Sequence, residues 1–172
     1  QDIQVTVTGA KDAQGNTQEV YTAQTEFSVD MNNPVVSSVA ATVSGAVQET
    51  GQSYQTISES DVVNQLEVLV TFDQRMDETS SSTPTLTFKE GMSTITPADR
   101  GIAIDSSASG WVSATEYKAV YDLTDSDDNV DGLKVEVSGA KDYNGNAQAT
   151  HSAVAVINID TIQPPVTLTA SA

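Results

Sequence analysis

Apolar and polar residues alternate along much of this chain, a pattern typical of β-strands that bury one face. In 66–72 the even-numbered positions are Leu, Val, Val and Phe, whereas Glu67 and Thr71 occupy odd-numbered ones. The same spacing recurs in 117–123 and 133–137. Segments rich in β-branched and aromatic residues predict further strands at 35–43, 83–89, 101–104 and 153–159.

The connections between these segments are rich in Gly, Ser, Asn and Asp, and no long amphipathic helix interrupts them. About seven short strands joined in this way predict an all-β fold, namely an antiparallel β-sandwich of the immunoglobulin-like type. After the first strand, 45–61 is a polar insertion in which we expect a short helix or hairpin. The predicted core consists of Leu66, Val68, Val70, Phe72, Tyr117, Tyr121, Val135, Val137, Ile157 and Ile159.

One motif occurs twice, at 5–16 and 135–146, and eight of its twelve positions are identical. Gly9 corresponds to Gly139, an offset of 139 − 9 = 130, and the same offset relates Asp30 to Asp160 and Pro34 to Pro164. A fixed period of this length predicts tandem domains in a longer array. We expect 1–33 to be the last two strands and linker of one repeat, 34–160 a complete repeat, and 161–172 a linker and first strand of a third.

The balance of charge narrows the range of partners. Twenty-four acidic and seven basic residues give a formal net charge of −17, which argues against nucleic acid or an anionic membrane surface. No segment approaches the ~18 consecutive apolar residues of a membrane span. The chain has no cysteine, so disulfides and thiolate metal sites are excluded, and cations bound through oxygen are the natural partners.

The acidic residues are concentrated in turns, most of all in 122–131. Asp125, Asp127, Asn129 and Asp131 follow one another at alternate positions there, close to the ligand spacing of an EF-hand. Val130 stands where that loop needs glycine, and no glutamate follows at its twelfth position, so an EF-hand is not predicted. Two interpretations stay open, a calcium-binding loop and a merely solvated acidic loop.

Sandwich topology predicts that the acidic turns gather at opposite ends of the complete repeat. If the last two strands correspond to F and G, the turn containing Asp142, Asn144 and Asn146 lies beside the incoming linker, which contributes Asp30 and Asn32. Asp77 and Glu78 join the same end. The 122–131 loop lies at the other end beside Asp160. Each cluster then faces a junction where Ca²⁺ could fix the angle between repeats.

Catalytic patterns are absent from the sequence. His151 is the sole histidine, its equivalent in the first copy is Tyr21, and no Gly-x-Ser-x-Gly or zinc motif occurs. We therefore expect no enzyme activity. Trp111, the sole tryptophan, is predicted to pack against the core, with an exposed ligand platform as the alternative.

Four motifs carry a resemblance to a known family: Val-Thr-Phe-Asp-Gln-Arg-Met-Asp at 70–77, Gly-Trp-Val-Ser-Ala-Thr-Glu-Tyr at 110–117, Val-Ser-Gly-Ala-Lys-Asp-Tyr-Asn-Gly-Asn at 137–146 and Ile-Asn-Ile-Asp-Thr-Ile-Gln-Pro at 157–164. They resemble bacterial immunoglobulin-like repeats of very large surface adhesins, especially extender repeats of calcium-dependent, type I secreted, RTX-like adhesins of Gram-negative bacteria. The likeness covers the chain outside 45–61. The segment from Asp160 to Pro164 departs from the usual pattern, which has a small residue or second threonine before the proline.

The resemblance implies an extracellular stalk module on the bacterial surface, in an adhesin of the kind that supports cell adhesion and biofilm formation. Its partners would be neighbouring immunoglobulin-like repeats of the same chain and calcium, while other domains would bind the host or surface ligand. By motif, the implied calcium ligands are Asp30, Asp142 and Asn146 at one junction, and Asp160 with the 122–131 loop at the other. Two rival hypotheses are a glycan- or protein-binding module built around 45–61 and Trp111, and an accessory domain of a secreted hydrolase.

Overall fold

The structure is a computed structural model that describes residues 2–44 and 55–166. The chain divides between Asn32 and Asn33 into two compact units, here called unit 1 and unit 2. No α-helix is present within the described ranges, and no helical segment in them has the length and hydropathy of a membrane span. The all-β class predicted from the alternation is confirmed.

The described strands, in chain order, are β1 Asp2–Gln4, β2 Thr25–Ser28, β3 Val36–Val43, β4 Gln55–Ser58, β5 Gln65–Phe72, β6 Thr85–Glu90, β7 Ser93–Thr94, β8 Ile102–Ile104, β9 Gly110–Ser113, β10 Glu116–Leu123, β11 Asn129–Ser138 and β12 Val154–Asp160. Short 3-10 helices occupy Glu59–Asp61, Ser80–Ser82 and Pro97–Arg100.

Unit 1 contains one antiparallel pair, β1 with β2, in which Ile3 lies opposite Phe27. The pairing has an irregularity between Ile3 and Gln4. Adding 130 to each number gives Leu133 opposite Ile157 with an irregularity between Leu133 and Lys134, which is the register observed between β11 and β12. The offset found in the sequence therefore also describes strand pairing.

The described residues of unit 2 form two sheets of five strands each. The first has the order β3-β5-β10-β8, and β9 also pairs with β10. The second has the order β4-β12-β11-β6-β7, in which β4 runs parallel to β12 and the other pairs are antiparallel. The sheets are sandwich-like, because apolar residues from both form one core cluster.

The core follows from strict alternation along the central strands. In β5 every second residue is buried, from Leu66 to Phe72, and the residues between them are partly exposed. All ten residues predicted for the core belong to the observed cluster. Fully burying a side chain of this size contributes roughly 1.5–3 kcal/mol, so this alternation is the main source of stability.

Several predicted boundaries move. Strand β11 begins at Asn129 and not near 133, so Asn129 and Asp131 are strand residues. In unit 1, β1 ends at Gln4, and no strand is assigned to Val5 or Val7. Part of the predicted polar insertion forms β4 and the 3-10 helix Glu59–Asp61, while 45–54 lies outside the described residues. No strand is assigned to 161–166, and 167–172 is not described.

Candidate functional site

The turn after β11 is organised around the carboxylate of Asp142, which is 1% exposed. Its Oδ1 accepts hydrogen bonds from the backbone N–H groups of Asn144 and Asn146, at 2.9 and 2.8 Å. Its Oδ2 accepts from the side-chain amides of Asn146 and Gln74, each at 2.8 Å. A carboxylate offers about four lone-pair positions. The protein itself therefore satisfies Asp142.

The chain segments before and after this turn are linked by the side chain of Gln148. Its Nε2 donates to the carbonyl of Val137 at 2.7 Å, and its Oε1 accepts from the N–H of Ala140 at 3.3 Å. Gly145 adopts a φ of 89°, a conformation that L-residues with a Cβ rarely take. These contacts explain why Gln and Gly recur at fixed positions in both copies of the motif.

The connection between β5 and β6 binds the same turn from outside. Met76 pairs with Asp142, the N–H of Asp77 donates to the carbonyl of Lys141 at 2.9 Å, and the N–H of Tyr143 donates to the carbonyl of Arg75 at 3.2 Å. The Arg75 guanidinium lies 4.0 Å from the centre of the Tyr143 ring, within the range of a cation–π contact.

Asp77 closes a local turn with its carboxylate. Oδ2 accepts from the hydroxyls of Ser82 at 2.6 Å and Thr79 at 2.9 Å, and Oδ1 accepts from the N–H of Thr79 at 3.1 Å. The hydrogen bond from Ser82 is the main reason that the pKa of Asp77 lies below its ordinary value. Both oxygens are thus occupied by donors of the chain.

The start of unit 2 lies at this end of the sandwich. The carbonyl of Pro34 accepts from the N–H of Ala149 at 2.8 Å, and Val35 and Asp73 exchange hydrogen bonds of 2.8 and 3.0 Å. We call this end, with the 141–146 turn and Asp77, the upstream pole. The predicted neighbours Asp30 and Asn32 belong to unit 1, where the N–H of Asn32 donates to Asp30 Oδ1 at 3.0 Å.

The opposite end, the downstream pole, is formed by the loop before β11 and the segment after β12. Asp128 and Thr161 hold these together: the N–H of Thr161 donates to the carbonyl of Asp128 at 2.8 Å, and the N–H of Asp128 donates to Thr161 Oγ1 at 3.0 Å. Arg100 bridges Asp128 and Glu90, with nitrogen–oxygen distances of 2.6 Å to each. The structure therefore joins the 122–131 loop to the residue that follows Asp160, as topology predicted.

The predicted calcium ligands of this loop are only partly gathered. Asp125 and Asp127 lie in the loop, where Asp127 has a φ of 49° and donates its N–H to Asp125 Oδ1 at 2.9 Å. Asn129 and Asp131 point outward from β11, and Asn129 lies opposite Asp160. In the described part of the chain, no three His, Cys, Asp or Glu side chains are arranged to hold a metal ion.

Glu59 is a downstream-pole residue that the sequence analysis missed. It follows β4, whose Ser58 lies opposite Asp160, and its Oε1 accepts from the side chain of Gln163 at 3.0 Å. Its Oε2 is buried without a hydrogen-bond partner in the described ranges, and so is the hydroxyl of Ser126. Only the parallel pairing of β4, which alternation cannot reveal in so short a strand, brings Glu59 to this pole.

Trp111 lies against the core at the edge of the first sheet. Its ring centre is 5.8 Å from that of Phe72 and 5.4 Å from that of Tyr117, so the predicted packing role is confirmed. Trp111 also lines a cavity of about 590 Å³ beside Ser109 and Tyr117. Its Nε1 is buried, and no acceptor for it exists among the described residues.

His151 has a local structural role. Its Nδ1 accepts a hydrogen bond from the backbone N–H of Val137 at 3.2 Å. Partial burial lowers the pKa of His151, and the nearby Glu136 opposes that shift.

Comparison with protein-family models, curated proteins and solved structures found no match for this chain.

Proposed function

We propose that this chain is a non-enzymatic extender module, built from immunoglobulin-like tandem repeats, in the stalk of a large bacterial surface adhesin. The observation that carries the proposal is the offset of 130, which relates not only residues but also the hydrogen bonds of two turns and the register of two strand pairs. Repeats that reproduce one another at this level are typical of arrays assembled from one structural unit.

The order of strands also supports an immunoglobulin-like unit. In the first sheet, β3, β5, β10 and β8 correspond to strands A, B, E and D of an immunoglobulin-like sandwich and follow its A-B-E-D order. In the second sheet, β12, β11 and β6 correspond to G, F and C and follow its G-F-C order. An elongated stalk needs the termini of each unit at opposite poles. Pro34 and Thr161 satisfy this requirement, since one belongs to the upstream pole and the other to the downstream pole.

The proposed calcium site lies at the downstream pole. Asp142 and Asp77 do not suit the ion, because donors of the chain already occupy their oxygens. The buried Oε2 of Glu59 has no such donor in the described ranges, and a buried carboxylate oxygen is costly unless it is paired. Glu59 and Asp160 would bind calcium. Because no three carboxylates of the described residues are already arranged around an ion, Asp125 and Asp127 would have to move towards it from the adjacent loop. The ion would neutralise these carboxylates and stiffen the junction.

The repeat is tested by restoring the strands that unit 1 lacks. Since residue 132 corresponds to residue 2, a fusion chain would place 34–131 directly before Asp2. We expect amide hydrogens of 2–32 to become as protected from exchange as those of 132–162. A matched control fuses the same segment one residue out of register, which turns each strand's apolar face outward. The repeat would be refuted if the amide hydrogens of 2–32 were equally protected in both fusions, or if they were protected in neither fusion.

The calcium site is tested by thermal unfolding in millimolar calcium, in magnesium and in chelator. An ion bound only by the folded state raises Tm by mass action, and magnesium should substitute poorly in a flexible carboxylate site. Glu59→Gln and Asp160→Asn should abolish the increase, whereas Asp12→Asn, in unit 1, should preserve it. A Tm that is the same in calcium and in chelator would refute calcium binding, but it would not contradict the proposed repeat.

A further inference from the structure

The segment 4–8 of unit 1 lacks, among the described residues, the partner strand that its counterpart has in unit 2. Strand β1 ends at the first of these residues, and no strand is assigned to the other four. In unit 2 the corresponding residues 134–138 are all paired with β6. The pairing of β11 with β12 ends at Val135, so the last three of them pair with β6 alone. In unit 1, no described strand covers this edge.

The same segment combines a strong preference for strand structure with a complete lack of charge. It reads Gln-Val-Thr-Val-Thr, and no charged residue or proline occurs in 3–10. Val5 and Val7 are 40% and 49% exposed. An exposed strand edge of this kind pairs readily with another chain unless charged residues or prolines prevent it. This edge contains neither, although the chain as a whole is strongly acidic.

The segment is also complementary to itself. When two copies pair antiparallel about Thr6, Val5 of one copy lies opposite Val7 of the other, and Thr6 lies opposite Thr6. The valines then share one face of the sheet and the threonines the other. The central residue faces its own copy, so a charge at this position would be repelled. Unit 1 has threonine there, whereas the equivalent Glu136 forms an ion pair with Lys89 of β6.

We propose that two copies of this chain associate by pairing their 4–8 segments in this register, about a two-fold axis at Thr6. The two hairpins then form one four-stranded sheet, whereas a single hairpin is only marginally stable in water. Because the same edge of both copies is used, the assembly closes as a dimer. The inference goes beyond the proposed function, since in a completed repeat a strand of the β6 type would occupy this edge.

The first test is sedimentation of the full chain from micromolar to millimolar concentration, where we expect a reversible equilibrium between monomer and dimer. Two copies of net charge −17 repel each other. Raising the ionic strength from about 0.01 to about 0.15 M shortens the Debye length from about 30 to about 8 Å, which should raise the dimer fraction. Thr6→Lys should abolish the dimer, because like charges would meet at the axis. Thr17→Lys adds the same charge to unit 1 outside the segment and should preserve it.

The register is tested by disulfide trapping, which the chain permits because it has no cysteine of its own. In Thr6→Cys the two thiols lie directly opposite each other, with Cα atoms about 4.5–5.5 Å apart, a separation that a disulfide can bridge. In Thr8→Cys they are four residues apart along the strands, about 14 Å, which is too far. We expect oxidation to link Thr6→Cys into covalent dimers and to leave Thr8→Cys unlinked. The opposite result would overturn the proposed register.

The fusion chain that places 34–131 before Asp2 separates this proposal from that of the repeat. It supplies a strand of the β6 type to the edge, so it should stay monomeric where the unaltered chain dimerises. If its 2–32 amides gained no protection while the unaltered chain still dimerised through 4–8, the repeat would fail and the pairing would stand. A chain that is monomeric at millimolar concentration and high salt, or a dimer that Thr6→Lys does not weaken, would overturn the pairing alone.

Discussion

The turn of unit 1 and the turn of unit 2 have the same internal hydrogen bonds and differ in burial. In both, an aspartate Oδ1 accepts from the N–H groups two and four residues later, and its Oδ2 accepts from the asparagine side chain. Gly15 and Gly145 have φ values of 88° and 89°. Asp12 is exposed, whereas Asp142 is buried and also accepts from Gln74.

The apolar residues around the two turns differ in the same way. Val7 is 49% exposed and its equivalent Val137 is 1% exposed, and Phe27 and Ile157 are 53% and 0% exposed. The hairpin motif thus specifies its own turn without a core. Burial requires the strands β5, β6 and β10, whose equivalents are not part of unit 1. Substitutions at equivalent positions should separate these two contributions.

The largest difference is expected for core truncation. Ile157→Ala should lower the free energy of unfolding of unit 2 by about 2–5 kcal/mol, because it removes transfer energy and leaves a cavity. Phe27→Ala, at the equivalent exposed position, should not change the unfolding of unit 2. Urea denaturation followed by Trp111 fluorescence measures both. Similar losses would mean that unit 1 contributes to the core of unit 2.

The turn carboxylates should give the next largest difference. Asp142→Ala removes the buried acceptor of four hydrogen bonds, three from the turn and one from Gln74, at a cost of about 3 kcal/mol. Asp12→Ala should leave the same transition unchanged, since solvent can replace the lost acceptor. If Asp142→Ala were as harmless as Asp12→Ala, the buried hydrogen bonds would contribute little to the fold.

The smallest effect concerns pH, at the position where unit 2 has His151 and unit 1 has Tyr21. Burial lowers the folded pKa of His151 below its ordinary value near 6.5. The unfolded state then binds the proton first, so stability is fully present above about pH 6.5 and decreases as pH falls towards the folded pKa. Asp77 and Asp105 have carboxyl pKa values below the ordinary value of 3.8. Their contribution to the stability of the fold therefore decreases only at pH values below about 3.8.

The variant His151→Gln keeps an oxygen acceptor for Val137 and removes the titration. Chemical denaturation between pH 7 and pH 5 should show a gradual loss of stability in the unaltered chain and a flatter profile in the variant. Parallel profiles would assign the pH dependence to other groups.

The strength of alternation explains which parts of the fold were predictable. Strands β5 and β10 were predicted within a residue or so because their apolar faces repeat over eight residues. Strand β4 has only four residues and pairs in parallel with β12, so no local sequence pattern predicts it. The same limit hid Glu59, which reaches the downstream pole only through that pairing.

The sequence by itself determined the all-β class, the core positions and the internal geometry of the turns, because these depend on residues close together in the chain. It also determined the offset of 130 between the copies. The tertiary structure alone decided that Asp142 is buried and bonded to Gln74 while Asp12 faces solvent. It also decided that Tyr117 lines one cavity with Tyr121 and another with Trp111. Burial and convergence depend on strands distant in sequence, and identical local motifs cannot encode that difference.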